Sequence, residues 1–375
     1  MAEYLTNTND LTLVANAIRT KGGTTELLTY PDEFVIAIQA IQTGPELQIV
    51  VTVTSGATVT ATKGSLSVSG TSVNGTCTLT VPEAGEWTVS ATLGGETSNS
   101  NIVNVVSSYD TSLAFVSTIL NDNSWEAIHG VSDAGQGENY WSIGDRKEVT
   151  LNGKVGHLSL SNYTTYAFII GFNHNASVEG ANRIHFQLAK TALSGGKDIA
   201  FCDSKHNSTV STTGYFSMNS SNTNSGGWKS SQMRTKICGT SLSNYSATII
   251  AVIPETLRAV LKSVTKYTNN TGKSSSASAV TATTDYFFLL SEYEVFGSIS
   301  FTNINESSKQ AQYAYYSAGN SKIKYNHNDR STAVSWWLRS PNAKSSENFI
   351  IVNTVGTHSD NVAYYSRGFA PGFCV

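Results

Sequence analysis

From residue 47 to residue 106 the chain alternates apolar and polar residues with period two, in short runs broken by glycine-bearing turns. The runs are 47–53, 57–61, 64–70, 75–81, 85–91 and 102–106. A strand sends successive side chains to opposite faces, so each run builds one face for a core and one for water. Six such strands at roughly 8–12-residue spacing, with Trp87 as the only tryptophan among them, predict an antiparallel sandwich.

The flanking regions have a different pattern. In residues 1–46, Thr8-Asn9-Asp10 supplies cap chemistry for a helix with Leu11, Val14, Ala17 and Ile18 on one stripe, and Lys21-Gly22-Gly23 ends it. A second helix is expected from Pro31, carrying Phe34, Val35, Ile38 and Ile41, with Gly44-Pro45 as its stop. Residues 109–375 mix both periods. Helices are expected over 111–121 and from the Asn123-Ser124 cap to before Gly135. Strands are expected at 147–151 and 166–172, with a turn at Asn152-Gly153. An amphipathic helix follows over 254–264, facing inward with Leu257, Val260, Leu261 and Val264, then a mobile polar loop at 269–282 and a buried strand at 287–290. The predicted architecture is multidomain: a short α segment (1–46), an all-β immunoglobulin-like sandwich (47–108) and an α+β domain (109–375).

Charged residues make up only 14% of the 375 and the net charge is −3, so nothing points to nucleic acid or an anionic membrane. Thirty glycines, six prolines and abundant Ser, Thr and Asn are the habit of β-rich secreted or virion proteins. Cys77, Cys202, Cys238 and Cys374 form no CxxC pair, so reduced thiols are the default. The N-terminus has no basic or apolar signal region, and the apolar run 166–172 falls short of the ~18 residues of a spanning helix. The expectation is synthesis in a bacterial cytoplasm without membrane insertion.

The stretch 335–375 carries the functional expectation. It opens with Trp336-Trp337-Leu338-Arg339-Ser340-Pro341 and closes with Gly368-Phe369-Ala370-Pro371-Gly372-Phe373-Cys374-Val375. Between them, over 343–367, neither period holds, which predicts a long exposed loop on a short strand or two. Its tyrosines, histidine, arginine and amides are the side chains of contact surfaces. This ending resembles the variable region of diversity-generating retroelement target proteins, whose C-terminal domain is C-type-lectin-like. Three more phrases extend the resemblance over 109–375: Tyr140-Trp141-Ser142-Ile143-Gly144-Asp145, the run 218–234 around Gly226-Gly227-Trp228, and the run 285–297. Together they look like an uncharacterised bacterial and phage family related to the formylglycine-generating-enzyme branch of that fold. The resemblance implies a diversifiable ligand-binding face in a variable region of about 342–367, made of Lys344, Glu347, Ile351, Asn353, Thr357, His358, Asp360, Asn361, Tyr364, Tyr365 and Arg367. It implies a receptor-binding protein of a phage or prophage virion, on the tail or fibre surface, with a bacterial or host surface protein or glycan as partner. Residues 11–41 are similar to the N-terminal segment of phage tail and fibre proteins, which implies attachment to other virion proteins, with a homotrimer as one arrangement. Residues 47–108 resemble the immunoglobulin-like modules of phage surface proteins and imply a spacer.

Enzymatic signatures are missing from the sequence. The seven histidines show no metal-ligand spacing, and there is no nucleophile elbow or phosphate loop. Calcium would need clustered oxygens; Asn342, Glu347, Asn353, Asp360 and Asn361 only suggest it, so neither metal nor cofactor is assigned. Formylglycine-generating activity is not carried over, because no pattern unites Cys238 and Cys374. Two rivals to the binding reading stay open. One is a virion glycan hydrolase using Glu292 or Glu294, two apart on an expected strand end. The other is a structural decoration protein without a ligand.

Overall fold

The computed structural model describes residues 12, 15–18, 47–105, 110–114 and 116–375. The chain is β-rich and divides into two compact units, 1–115 and 116–375. In the first unit, residues 15–18 are helical with Ala15 and Ile18 buried and Ala17 exposed, so the predicted stripe does not run through Ala17. The second expected helix, from Pro31 to Ile41, lies outside the described residues.

The alternating region forms two sheets. The strands are β1 (Gln48–Thr52), β2 (Thr58–Lys63), β3 (Leu66–Thr71), β4 (Thr76–Thr80), β5 (Gly85–Leu93), β6 (Glu96–Thr97), β7 (Asn101–Val105) and β8 (Asp110–Ala114). One sheet has the order β4-β1-β8; the other is β3-β2-β5-β6, with β7 also paired to β5. Ile49, Val51, Val59, Ala61, Cys77, Leu79, Trp87 and Val89 all point into one cluster, every second residue of its strand. Trp87 is fully buried, and its ring N–H donates to the Glu83 carbonyl at 3.1 Å, so the large ring is buried without an orphaned polar atom. The 111–121 helix is absent. Residues 110–114 instead run parallel to β1, and only Leu120–Asp122 make a helical turn. Pairing with β1 overrides the helical spacing of Leu113, Val116 and Leu120.

The second unit is built on a five-stranded sheet, β15-β21-β11-β10-β9. Its members are β9 (Arg146–Val155), β10 (Leu158–Phe172), β11 (Ile184–Lys190), β15 (Phe287–Phe288) and β21 (Gly372–Cys374). Every residue of β11 is buried, as a central strand covered on both faces must be. Helix 125–133 covers it: Ser124 accepts from the Ala127 N–H as N-cap, and Trp125 sets its ring edge-on to Phe186 and Phe373. The expected turn at Asn152-Gly153 lies inside β9; the chain reverses at Gly156-His157. Gly156 has φ +53°, and a Cβ there would sit 2.0 Å from the Gly214 carbonyl oxygen, so only glycine fits.

Two other expectations change. Of the 254–264 helix only Glu255–Arg258 is helical, although Leu257, Val260, Leu261 and Val264 are all buried as expected. The 269–282 loop is the tip of a hairpin between β13 (Val264–Asn269) and β14 (Val280–Asp285). The buried Asn269 amide holds that tip by donating to the Gly272 and Ser274 carbonyls. Two short strands, β12 (Ile199–Ala200) and β16 (Lys324–Asn326), join β17 (Ala333–Val334) in a small sheet.

Three of the four quoted phrases, 218–234, 285–297 and 336–341, interlock through buried polar bonds. Asp285 accepts from the Trp228 ring N–H (3.0 Å), from Arg234 Nε (2.6 Å) and from the Thr283 hydroxyl (2.7 Å). Gly227 has φ +53°, and a Cβ on it would meet the Asn269 carbonyl oxygen at 2.1 Å. Arg339 forks onto Glu294, joining the Trp-Trp-x-Arg-Ser-Pro phrase to Ser291-Glu292-Tyr293-Glu294. Glu292 and Glu294 stand on helix 292–296, not on a strand. Ser291 and Glu294 form a reciprocal capping box at its start.

Candidate functional site

Residues 335–375 do not form a long exposed loop. They make a three-stranded sheet, β18 (Trp336–Pro341), β19 (Asn348–Val352) and β20 (His358–Val362), then return into the core. β18 is wholly buried, and the Trp336 and Trp337 ring N–H groups donate to the Lys322 and Phe216 carbonyls. β20 is the edge strand, with every residue half-buried. Phe349 to Val352 are core, so the apolar run that blurred the period is a strand buried on both faces.

The two turns of this sheet are held by amide side chains. Asn224, 1% exposed, donates to the carbonyls of Asn342, Ser345 and Asn348. Asn342 Oδ1 accepts from the Lys344 and Ser345 N–H groups, while its amide and that of Asn348 both donate to Asp360. At the far turn Asn353 Oδ1 accepts from the Val355 and Thr357 N–H groups, and its amide donates to the Thr357 hydroxyl at 2.7 Å. Such Asx bonds close a turn without help from the sheet ladder.

The predicted face is partly displayed. Lys344, Glu347 and Thr357 are exposed; Asn353, His358, Asp360, Asn361, Tyr364 and Tyr365 are half-buried. Ile351 and Arg367 are not on it. Ile351 is 4% exposed inside β19, because the strand needs apolar residues on both faces. Arg367 is 9% exposed, donates to Asn207 and lies over the Tyr365 ring at 5.1 Å. Asp360 is occupied by its two asparagine donors. Sequence reasoning missed Thr354 and Val355, both exposed at the hairpin tip, Val355 at 69%. A branched apolar residue between two Asx-turn positions was the available signal.

His358 is held from behind. Its Nδ1 lies 3.0 Å from Glu292 Oε1, and its ring stacks on Phe296 at 3.8 Å. Glu292 is fully buried and also accepts from the Ser300, Phe301 and Thr302 N–H groups. The bond to Glu292 and the stack on Phe296 together fix the orientation of the ring. Tyr364 and Tyr365 sit 5.5 Å apart, and their backbone is bridged to the 206–210 segment. These rings therefore stand on a frame whose anchors, Asn224, Glu292 and Asp203, lie outside the face.

Behind the face is a buried ionic cluster. Lys266 Nζ lies 2.5 Å from Glu179 and 3.0 Å from Glu294, and donates to Tyr313 Oη at 2.8 Å. Burial pushes the Glu179 carboxyl up to about 7 even with Lys266 beside it. Glu294, which alone also holds Arg339, keeps its charge and is held well below the carboxylate range. Burial presses His174 down to about 3 and His185 well below its usual value, so both imidazoles are neutral. Ligand atoms of His174, Glu179 and Glu294 lie within 4.8 Å of one another. A divalent cation there would have to displace the Lys266 ammonium, and the Arg339 guanidinium would repel it, so this donor set does not fit a metal. Neither Glu292 nor Glu294 offers an exposed acid to a glycan, both being fully buried. All four cysteines are free and buried; burial lifts the Cys202 and Cys374 thiols to about 12.

Residues 206–375, under half of the chain, match a family model described as Domain of unknown function (DUF6273). No curated protein and no solved structure matches the chain. Among the described residues no helix is long and apolar enough to cross a membrane.

Proposed function

We propose that the chain is a receptor-binding protein of a phage or prophage virion, in which a lectin-like C-terminal domain presents the β18–β20 hairpin to a surface protein or glycan. The β1–β8 region would serve as an immunoglobulin-like spacer and the N-terminal segment as the attachment to other virion proteins. One observation carries the reading. The backbone around the face is held by Asn224, Glu292 and Asp203 from outside it and by Asn353 with Thr357 at the far turn, so Lys344, Glu347, Thr354, Val355, Asn361, Tyr364 and Tyr365 can change without removing one of these anchors. Diversification by a retroelement would act on this set; Ile351, Asp360 and Arg367 would stay constant for packing and hydrogen bonding.

The test is cell binding by the purified chain, scored by flow cytometry over a panel of bacteria. Tyr364→Ala with Tyr365→Ala should cut binding at least about a hundredfold, the effect of losing about 3 kcal/mol of aromatic contact. Thermal stability should move by no more than about 2 °C. Unchanged binding, or a large fall in Tm, defeats the reading. The retroelement part has its own check in the genome: a neighbouring reverse-transcriptase gene and a near-copy of the last codons that differs only at adenines.

A further inference from the structure

A second recessed site lies in the same unit and shares no lining residue with the hairpin face. It is a cleft of about 460 Å³, within the roughly 300–1,000 Å³ of small-molecule sites. Four segments meet there: the Gly156-His157 turn, the Thr213-Gly214 turn, the π-helical turn 233–238 and the 240–248 loop. Their backbones are tied together. Gly156 N–H donates to the Ala247 carbonyl at 2.7 Å and His157 N–H to the Gly214 carbonyl at 2.8 Å. Ala247 holds φ +58°, a conformation that costs an alanine energy and persists only where the surroundings impose it. A π-helical turn is likewise rare and recurs at functional sites.

The floor is rigid and the wall chemistry is unspent. Lys236, Thr213, Thr240, Asn244 and Ser246 are exposed, and among the described residues none of their side chains has a hydrogen-bond or ion-pair partner. Among the described residues no Asp or Glu lines the cleft, so none of them gives the Lys236 ammonium a counter-charge there. At the rim the His157 ring stacks on Tyr215 at 4.1 Å, giving a flat aromatic platform. Hydroxyls and an amide arranged around a cleft match the donors and acceptors of a polyol. A lone ammonium adds a place for one carboxylate.

We propose that this cleft binds an acidic saccharide unit, its hydroxyls on Thr213, Thr240, Asn244 and Ser246 and its carboxylate on Lys236. The experiment is saturation-transfer NMR on the full chain with glucuronic acid, glucose and inorganic phosphate. Glucuronic acid should bind at least about tenfold more tightly than glucose, and Lys236→Met should erase that difference. Asn244→Leu, which replaces the amide by methyl groups of similar shape, should weaken binding of both sugars, while Tyr364→Ala with Tyr365→Ala should alter neither. The proposal is overturned if glucuronic acid gives no transfer, if its preference survives Lys236→Met, or if it disappears with the tyrosines. Phosphate competing as well as glucuronic acid would also overturn it, since an ion site needs no polyol.

Discussion

The two units solve the problem of a core in opposite ways. In the first, the described core is a single apolar cluster around Trp87, filled by every second residue of its strands. In the second, an apolar core surrounds a set of buried charges: Lys266, Arg339, Glu179 and Glu294. An apolar core tolerates small shifts, because its attraction has no direction. A buried charge network is stable only when every member is paired, so it fixes one arrangement of the strands that carry it. The frame behind the hairpin face uses the second kind of core, which would suit the proposed role, a surface that keeps its shape while its side chains vary.

The comparison can be broken most directly at Trp87. Trp87→Ala should cost about 3–5 kcal/mol, most of what a sandwich of this size has, and should unfold the first unit alone. Calorimetry of the full chain should then lose one transition and keep the other; loss of both would mean the units do not fold separately. Arg339→Ala should cost the second unit a similar or smaller amount, about 3–5 kcal/mol, by leaving Glu294 with one cation instead of two. Its signature is that Arg339→Ala with Glu294→Ala costs less than the sum of the two single changes. Strict additivity would mean the pair contributes nothing.

The smallest effect is in pH. Burial raises the Glu306 carboxyl to about 7, so its proton is held more tightly in the folded state than in the unfolded one. That contribution is whole below about pH 4.5 and is lost as pH rises to about 7, a change of about 3 kcal/mol. His174, with its depressed value of about 3, slopes the opposite way below pH 6.5, but it is common to both proteins being compared. Glu306→Gln should therefore gain on wild type by about that amount between pH 4.5 and 7.5 in denaturant titrations. A constant difference across that range would mean Glu306 is charged at all these values.

The sequence made the first unit legible because alternation is a local property: Trp87, Val89 and Ala91 are inward wherever the strand is drawn. The parallel pairing of β8 with β1 was hidden, since it depends on residues about sixty apart and its own spacing also suits a helix. In the second unit the phrases were visible but their joints were not. Nothing near Asp285 indicates that Trp228 and Arg234 converge on it, because hydrogen bonding across fifty residues leaves no period. The candidate face was legible as composition at Tyr364, Tyr365 and Lys344. It failed at Ile351 and Arg367, where a strand and a return into the core replace the expected loop.

Asn224 grips three carbonyls within seven residues of the first hairpin turn, whereas the second turn is closed by Asn353 alone, four residues from its own partner. Insertions and deletions would thus be channelled to 354–356, where only a self-contained bend must be rebuilt. A natural or engineered lengthening of the display, to reach into a recessed target, has one doorway, and it opens at the tip.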